Sequence, residues 1–279
     1  MLRLKSFLRE MAAVNVSSLD VDFLNRAQKI TTFNLRPADM QSTRHKAEIQ
    51  HLFNRHFFKD FDLAKTIKGQ PSVTKLNTLI DMLQKESMAN YNKLHFYNLK
   101  GVGPGEATLY FLLDDAVLGG GGSAGVDLMV GSKKYEIKAS LHSKSDNTVY
   151  GFKFGGTEDL SKMVTQIVKW KNELGLKSTG KGVNEVGPKN LEIIKKKYPS
   201  EWRKLEAEYS RIGGRYFGNT PVIFISNNTS MKVDPDGDAE KIRQLSAGAG
   251  KILSIGPVTA KDISIQTVTQ GTIKPRVKI

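Results

Sequence analysis

The sequence predicts a soluble α/β (or α+β) protein with a mixed central sheet flanked by helices and preceded by a helical region. Three observations carry this. Apolar residues recur at helical spacing through the first hundred positions. After Leu99 the pattern breaks into short strand-like segments joined by glycines. Strong amphipathic helices then lead into a wholly apolar segment, Val222-Ile-Phe-Ile225, of the kind buried on both faces of a sheet. The order of helices, strand pair, helices and strand suggests layers of helix on sheet. The expected division is a helical region at 1–98, a core at 99–230 and a small β-rich extension at 231–279.

The elements follow in order. Met1 to Ala13 reads as a short amphipathic helix on Leu2, Leu4, Phe7, Leu8 and Met11. Its charges interrupt any secretory apolar core. Thr43–Phe58 and Val73–Tyr91 carry apolar residues at helical spacing, and Pro71-Ser72 supplies the start signal for the second. Gly101 to Gly105 is a tight turn, and Glu106–Leu118 reads as a helix. The run Gly119 to Gly122 must be loop. Val126–Val130 and Lys134–Ala139 read as strands of a hairpin turning at Gly131-Ser132. Phe152-Lys-Phe154 is expected to add a strand. Leu160–Leu174 is an amphipathic helix, and Asn190–Ile212 reads as two helices broken at Pro199. The tail, Ile252–Ile279, alternates apolar and polar residues as small strands do.

Composition narrows the function classes. Cysteine is absent, which removes disulfides and thiolate metal sites. No run approaches the roughly 18 apolar residues of a membrane span, so a cytoplasmic location without membrane partners is expected. Net charge is +14. Residues 1–139 hold 19 basic and 14 acidic side chains, and residues 140–279 hold 23 and 14. The excess is tilted to the second half, and a polyanionic partner is the natural inference.

The chemistry concentrates in Gly125-Val-Asp-Leu-Met-Val-Gly-Ser-Lys-Lys-Tyr-Glu-Ile-Lys138. Side chains alternate along a strand, so Glu136 and Lys138 share one face and Ile137 takes the other. A short hairpin can set Asp127 across from Glu136. Two carboxylates beside a lysine suit a hard cation with oxygen ligands. The bland alternative is a surface hairpin on which Glu136 and Lys138 are solvated together with Lys133 and Lys134.

These residues resemble the motifs of the PD-(D/E)xK superfamily, the restriction-endonuclease-like nucleases. Gly-Val-Asp, a spacer and Glu-x-Lys on an apolar strand are similar to two of its motifs, and Glu106 after Gly103-Pro-Gly105 is similar to its preceding-helix glutamate. Val126 stands where the family often has proline. The resemblance covers about Gly101 to Trp170. It implies a restriction-endonuclease-like mixed sheet and Mg²⁺- or Mn²⁺-dependent hydrolysis of DNA, more as an endonuclease than an exonuclease. It implies metal ligation by Asp127, Glu136, Glu106 and the Ile137 backbone carbonyl, with Lys138 acting on the nucleophile. Gln166, four residues before Trp170, is similar to an accessory Gln-x-x-x-Tyr element of some exonucleases. A surface glutamine beside a core tryptophan is the other reading. The first ten residues also resemble the starts of tailed-phage proteins, which would make virion or replication partners natural. A concerted double-strand cut would require a homodimer.

Lys177, Lys181, Lys189, Lys195, Lys196, Lys197 and Arg203 form the candidate nucleic-acid-binding set. Tyr198, Trp202, Tyr209, Tyr216 and Phe217 interleave with them, either to stack bases or to fill a core. The scattered histidines form no zinc pattern. Asp234-Pro-Asp-Gly-Asp238 lacks the calcium-loop spacing. Two other function classes stay open: a non-catalytic DNA-binding or phage virion structural protein with a nuclease-like fold, and an RNA-directed nuclease.

Overall fold

The computed structural model describes residues 37–41, 46–47, 49–50, 66–97, 101–119, 126–154, 158–178, 182–232, 242–246 and 248–279. The Met1–Ala13 helix, most of the Thr43–Phe58 helix, Gly120 to Gly122, Lys181 and the Asp234–Asp238 turn lie outside them. The protein is mixed α/β, with a mostly antiparallel open sheet flanked by helices. The chain forms two compact units, Met1–Lys134 and Tyr135–Ile279.

In the first unit, a 3-10 helix at Pro37–Gln41 precedes α1 (Val73–His95). α1 buries Leu76, Leu79, Ile80 and Leu83, the i, i+3, i+4, i+7 set the periodicity predicts. It continues one turn past Tyr91. At Ser87 the backbone leaves helical geometry (φ −160°, ψ 101°). The Asn90 N–H donates to the Ser87 hydroxyl at 3.2 Å, which restarts the helix as an N-cap would.

α2 spans Glu106–Leu112, with Gly105 before it at φ +85°. The expected helix to Leu118 is corrected here. The chain turns at Asp114-Asp115, and Ala116–Leu118 forms β1 against β2 (Leu128–Val130), antiparallel. Backbone groups around residue 113 are captured elsewhere. Ile67 N–H donates to Leu112 O at 2.8 Å and Asp114 N–H to Ile67 O at 3.0 Å. The buried Lys46 ammonium donates to the carbonyls of Leu113 and Ala116. A further helical turn would have to give up these bonds.

The Gly131-Ser132 turn, with Gly131 at φ +60°, leads into β3 (Lys133–Ser143), longer than predicted at both ends. β4 is Thr148–Tyr150. The strand expected at Phe152–Phe154 is irregular instead. Gly151, at φ +91°, ends the ladder before it. Both phenylalanines are nevertheless buried.

In the second unit, α3 (Glu158–Glu173), α4 (Pro188–Lys197) and α5 (Pro199–Phe217) follow. Pro199 opens α5 because its missing N–H costs nothing in a first turn. Then come β5 (Val222–Ser226), the pair β6 (Thr229–Lys232) and β7 (Ile242–Leu245), and β8 (Ile252–Gly256), β9 (Ile263–Thr269) and β10 (Thr272–Lys278). The sheet of this unit runs β8-β5-β3-β4-β10-β9. β3 and β5 are parallel, and the other pairs are antiparallel. Every residue of β5 is buried, as its unbroken apolar run demands. One core joins Phe154, Ile167, Trp170, Trp202, Tyr209 and Phe224 with their neighbours.

Candidate functional site

β3 pairs in parallel with β5, placing Glu136 beside Val222, Ile137 beside Ile223 and Lys138 beside Phe224. Glu136 and Lys138 therefore share the face on which Phe224 joins the core. Ile137 takes the other face and is buried there. The Glu136 backbone N–H donates to Pro221 O at 3.0 Å, which anchors the strand where the acidic residue emerges.

The two side chains form an ion pair, Lys138 Nζ to Glu136 Oε1, at 2.5 Å. Glu136 is only 4% exposed, so the solvated-hairpin reading does not describe it. Taking two charges out of water is costly, and their mutual attraction repays it only with further hydrogen bonds. One such bond comes from α5. The Tyr216 hydroxyl donates to the same Oε1 at 2.9 Å, and the Tyr216 ring lies under Lys138 Nζ, 5.5 Å to the centroid. The ring is held by Phe154 and Phe217, with centroids 5.4 and 5.1 Å away. Burial raises the Tyr216 phenol above its ordinary range. Glu136 adds to that, and Lys138 opposes it. The hydroxyl therefore stays a donor at neutral pH.

Tyr216 is the member that sequence reasoning missed as part of this site. It lies 80 residues from Glu136. Only its place at the end of a helix running into the partner strand of Glu-x-Lys marks it.

Glu106 is the first residue of α2 and is half-buried. Its Oε1 accepts the Gly103 N–H at 2.8 Å. A Cβ on Gly103 would come within 2.6 Å of that oxygen, so a larger residue there would push the flexible Glu106 side chain aside and disturb this contact. Asp127 precedes β2 in a bend rather than opening the strand, and it is half-buried. Its carbonyl accepts the Gly119 N–H at 2.8 Å. A Cβ on Gly119 would sit 1.8 Å from the Val126 carbonyl. The glycine run thus begins with a close backbone approach that fixes the segment bearing Asp127. Asp114 accepts the Thr66 hydroxyl at 3.4 Å, and Asp115 is exposed.

Gln166 is half-buried on α3. It lines a groove of about 840 Å³ between α3 and α5, floored by Met163, Trp170 and Leu205. Trp170 itself is a core residue, stacked on Tyr198 with ring centroids 5.2 Å apart. Lys177, Lys189, Lys196, Lys197 and Arg203 are exposed, whereas Lys195 is half-buried over the Trp202 ring. Trp202, Tyr209 and Phe217 are fully packed, so these three fill the core rather than offer stacking faces.

The donors named for a metal are carboxylate and carbonyl oxygens, with no thiolate and no imidazole. In kind they fit Mg²⁺, which is usually held by one or two carboxylates and keeps several waters. Among the described residues, the Lys138 and Tyr216 contacts to Glu136 both fall on Oε1, so the other oxygen is the one a cation would take. Among the described residues, no three His, Asp or Glu side chains converge on one point. Among the same residues, no helix is long and apolar enough to cross a membrane. No protein-family model, no curated protein and no solved structure matches the chain.

Proposed function

We propose that the chain is a metal-dependent nuclease that hydrolyses DNA phosphodiester bonds, with a restriction-endonuclease-like core at residues 99–230. The observation that carries the reading is the Glu136–Lys138–Tyr216 cluster. A buried ion pair is weak support for stability, because an apolar pair of the same size often serves as well. Retaining it beside a tyrosine donor on an apolar strand makes chemical sense if the groups act on a charged substrate.

In this reading Glu136 provides a carboxylate and the Ile137 carbonyl a further ligand; Asp127 and Glu106 are the ligands that the family resemblance adds, and among the described residues they form no three-carboxylate group with Glu136. When bound, Mg²⁺ or Mn²⁺ supplies Lewis-acid polarisation of phosphoryl oxygen and an acidified water. The chain's own groups do the rest. Lys138 holds positive charge against the negative charge on the phosphoryl oxygens in the transition state. Tyr216 fixes the Glu136 carboxylate and keeps Oε1 occupied. The exposed lysines of α4, with Lys177 and Arg203, hold the backbone by counterion release. Lys181 belongs to the same proposed set, and Gln166 is its accessory member.

The same geometry favours a second reading, a DNA-binding or virion protein without turnover. Lys138 and Tyr216 both engage Glu136, as a purely structural pair would. Hydrolysis of a labelled DNA duplex separates the two. The nuclease reading expects cleavage with Mg²⁺ or Mn²⁺ that Glu136→Gln and Asp127→Asn each abolish. Wild-type protein that binds the duplex and leaves it whole in every metal supports the second reading.

A further inference from the structure

The second unit holds a small polar cavity apart from the acidic cluster. It lies between α4 and the β9–β10 hairpin and encloses about 100 Å³. Its polar lining is Lys195 and Glu192 from α4, Ser264 and Gln266 from β9, and Arg276 from β10.

The pairing of the hairpin brings Ser264 and Arg276 together. Ser264 stands directly opposite Arg276. Between Lys274 and Pro275 the register shifts, which leaves Gln266 without a cross-strand partner. Proline has no N–H to give to a ladder, and a bulge re-aims the side chain it carries. Gln266 lines the same cavity as Ser264 and Arg276.

The donors outnumber their acceptors. Arg276 is oriented from its far end by Asp146, Nη1 to Oδ2 at 3.0 Å. Its Nε is buried, with no hydrogen-bond partner among the described residues. A buried donor left unmatched is unfavourable and calls for an acceptor. Among the described residues, Ser264 Oγ reaches the Arg276 carbonyl alone, at a long 3.5 Å. Lys195 pairs with Glu192 at 3.2 Å, but that is an i,i+3 surface pair with Glu192 largely exposed. Such pairs hold weakly and exchange readily. The outer face of α4 adds exposed Lys189, Lys196 and Lys197, which favour an approaching anion.

We propose that this cavity is an oxyanion subsite that takes one phosphate group from the backbone of a polynucleotide. Arg276 Nε, the Gln266 amide and the Ser264 hydroxyl donate to the phosphate oxygens, and Lys195 exchanges Glu192 for the anion. The choice of a polynucleotide rests on the nuclease reading. The affinity for phosphate does not.

The test reads no cleavage. The side-chain Nε–H resonance of Arg276, identified by its loss in Arg276→Lys, is followed by NMR in EDTA against inorganic phosphate and then a short oligodeoxynucleotide. The expected result is a saturable shift with both, at about tenfold lower concentration for the oligonucleotide because neighbouring lysines contact adjacent phosphates. Gln266→Ala, which leaves the charges intact, should weaken phosphate binding severalfold with the fold unchanged by circular dichroism. A shift with phosphate alone overturns the polynucleotide assignment. No shift with either overturns the subsite, whatever the nuclease assay reports.

Discussion

Replacing Tyr216 by phenylalanine removes one oxygen and little else. The ring keeps its contacts with Phe154 and Phe217 and its place under Lys138. What is lost is the hydroxyl that donates to Glu136 Oε1 at 2.9 Å. A hydrogen bond to a charged group is worth about 1.5–3 kcal/mol, and here its loss strips a donor from a buried carboxylate. Phenylalanine recovers part of that by burying no hydroxyl, so the net loss should be about 1–2 kcal/mol. For a unit of this size each kcal/mol lowers the melting temperature by about 2–4 °C. If the same bond also positions Glu136 for chemistry, cleavage should fall about five- to thirtyfold. The raised phenol adds a pH signature. Stability from the neutral hydroxyl is fully present below the ordinary tyrosine value of about 10. It is lost as pH rises through the higher folded value, so the gap between wild type and variant should close only in strong alkali. Urea unfolding and duplex cleavage on both proteins give the two readouts. Identical unfolding midpoints and identical rates would refute the reasoning.

Three other outcomes follow from the geometry. Glu136→Gln alone leaves Lys138 charged and partly buried, and should destabilise by about 3–5 kcal/mol; the double change Glu136→Gln with Lys138→Met should be far milder, because both charges go together. A double variant as unstable as the single one contradicts the buried-pair account. Burial lowers Lys46 to about 7, with Asp114 and Asp115 opposing. Its contribution is therefore present above the ordinary lysine range and lost as pH falls through about 7, a slope near 1.4 kcal/mol per pH unit over that window that Lys46→Met should abolish in denaturation curves. Gly213 lies in α5, where an added Cβ would meet the Phe154 ring at 2.7 Å and Ile263 at 2.8 Å. Gly213→Ala should cost about 1–3 kcal/mol despite its better helix propensity, and a rise in melting temperature would contradict the close packing.

Periodicity was a good guide where one physical signal dominated. α1, α3 and the α4–α5 break at Pro199 were legible from apolar spacing and a proline, and β5 from an unbroken apolar run. The Gly131-Ser132 turn announced the hairpin. The reading failed where tertiary bonds overrode local pattern. Leu113 through Leu118 looks helical, yet Ile67 and Lys46 take its backbone groups and Val117 enters a strand. Phe152 and Phe154 have strand alternation, but Gly151 ends the ladder first. At the candidate site, the Glu-x-Lys pattern foretold a shared face for Glu136 and Lys138, and the structure closes them into an ion pair. Tyr216 was illegible as a site residue, because helix spacing marks only which face is apolar and not which strand residue a side chain meets 80 positions away. The cavity at Arg276 was hidden for a similar reason. It is lined from α4 and from two paired strands, and spacing along the chain does not show which residues of the three elements meet.

The central claim, a metal-dependent nuclease built on Glu136 and Lys138, is tested most directly by plasmid nicking. Wild type and Lys138→Ala are compared in Mg²⁺, in Mn²⁺ and in EDTA, with circular dichroism to show that the variant is folded. The account predicts nicking by wild type that EDTA removes and that the folded variant lacks. Tight, salt-dependent DNA binding by both proteins with no nicking in either metal would contradict it.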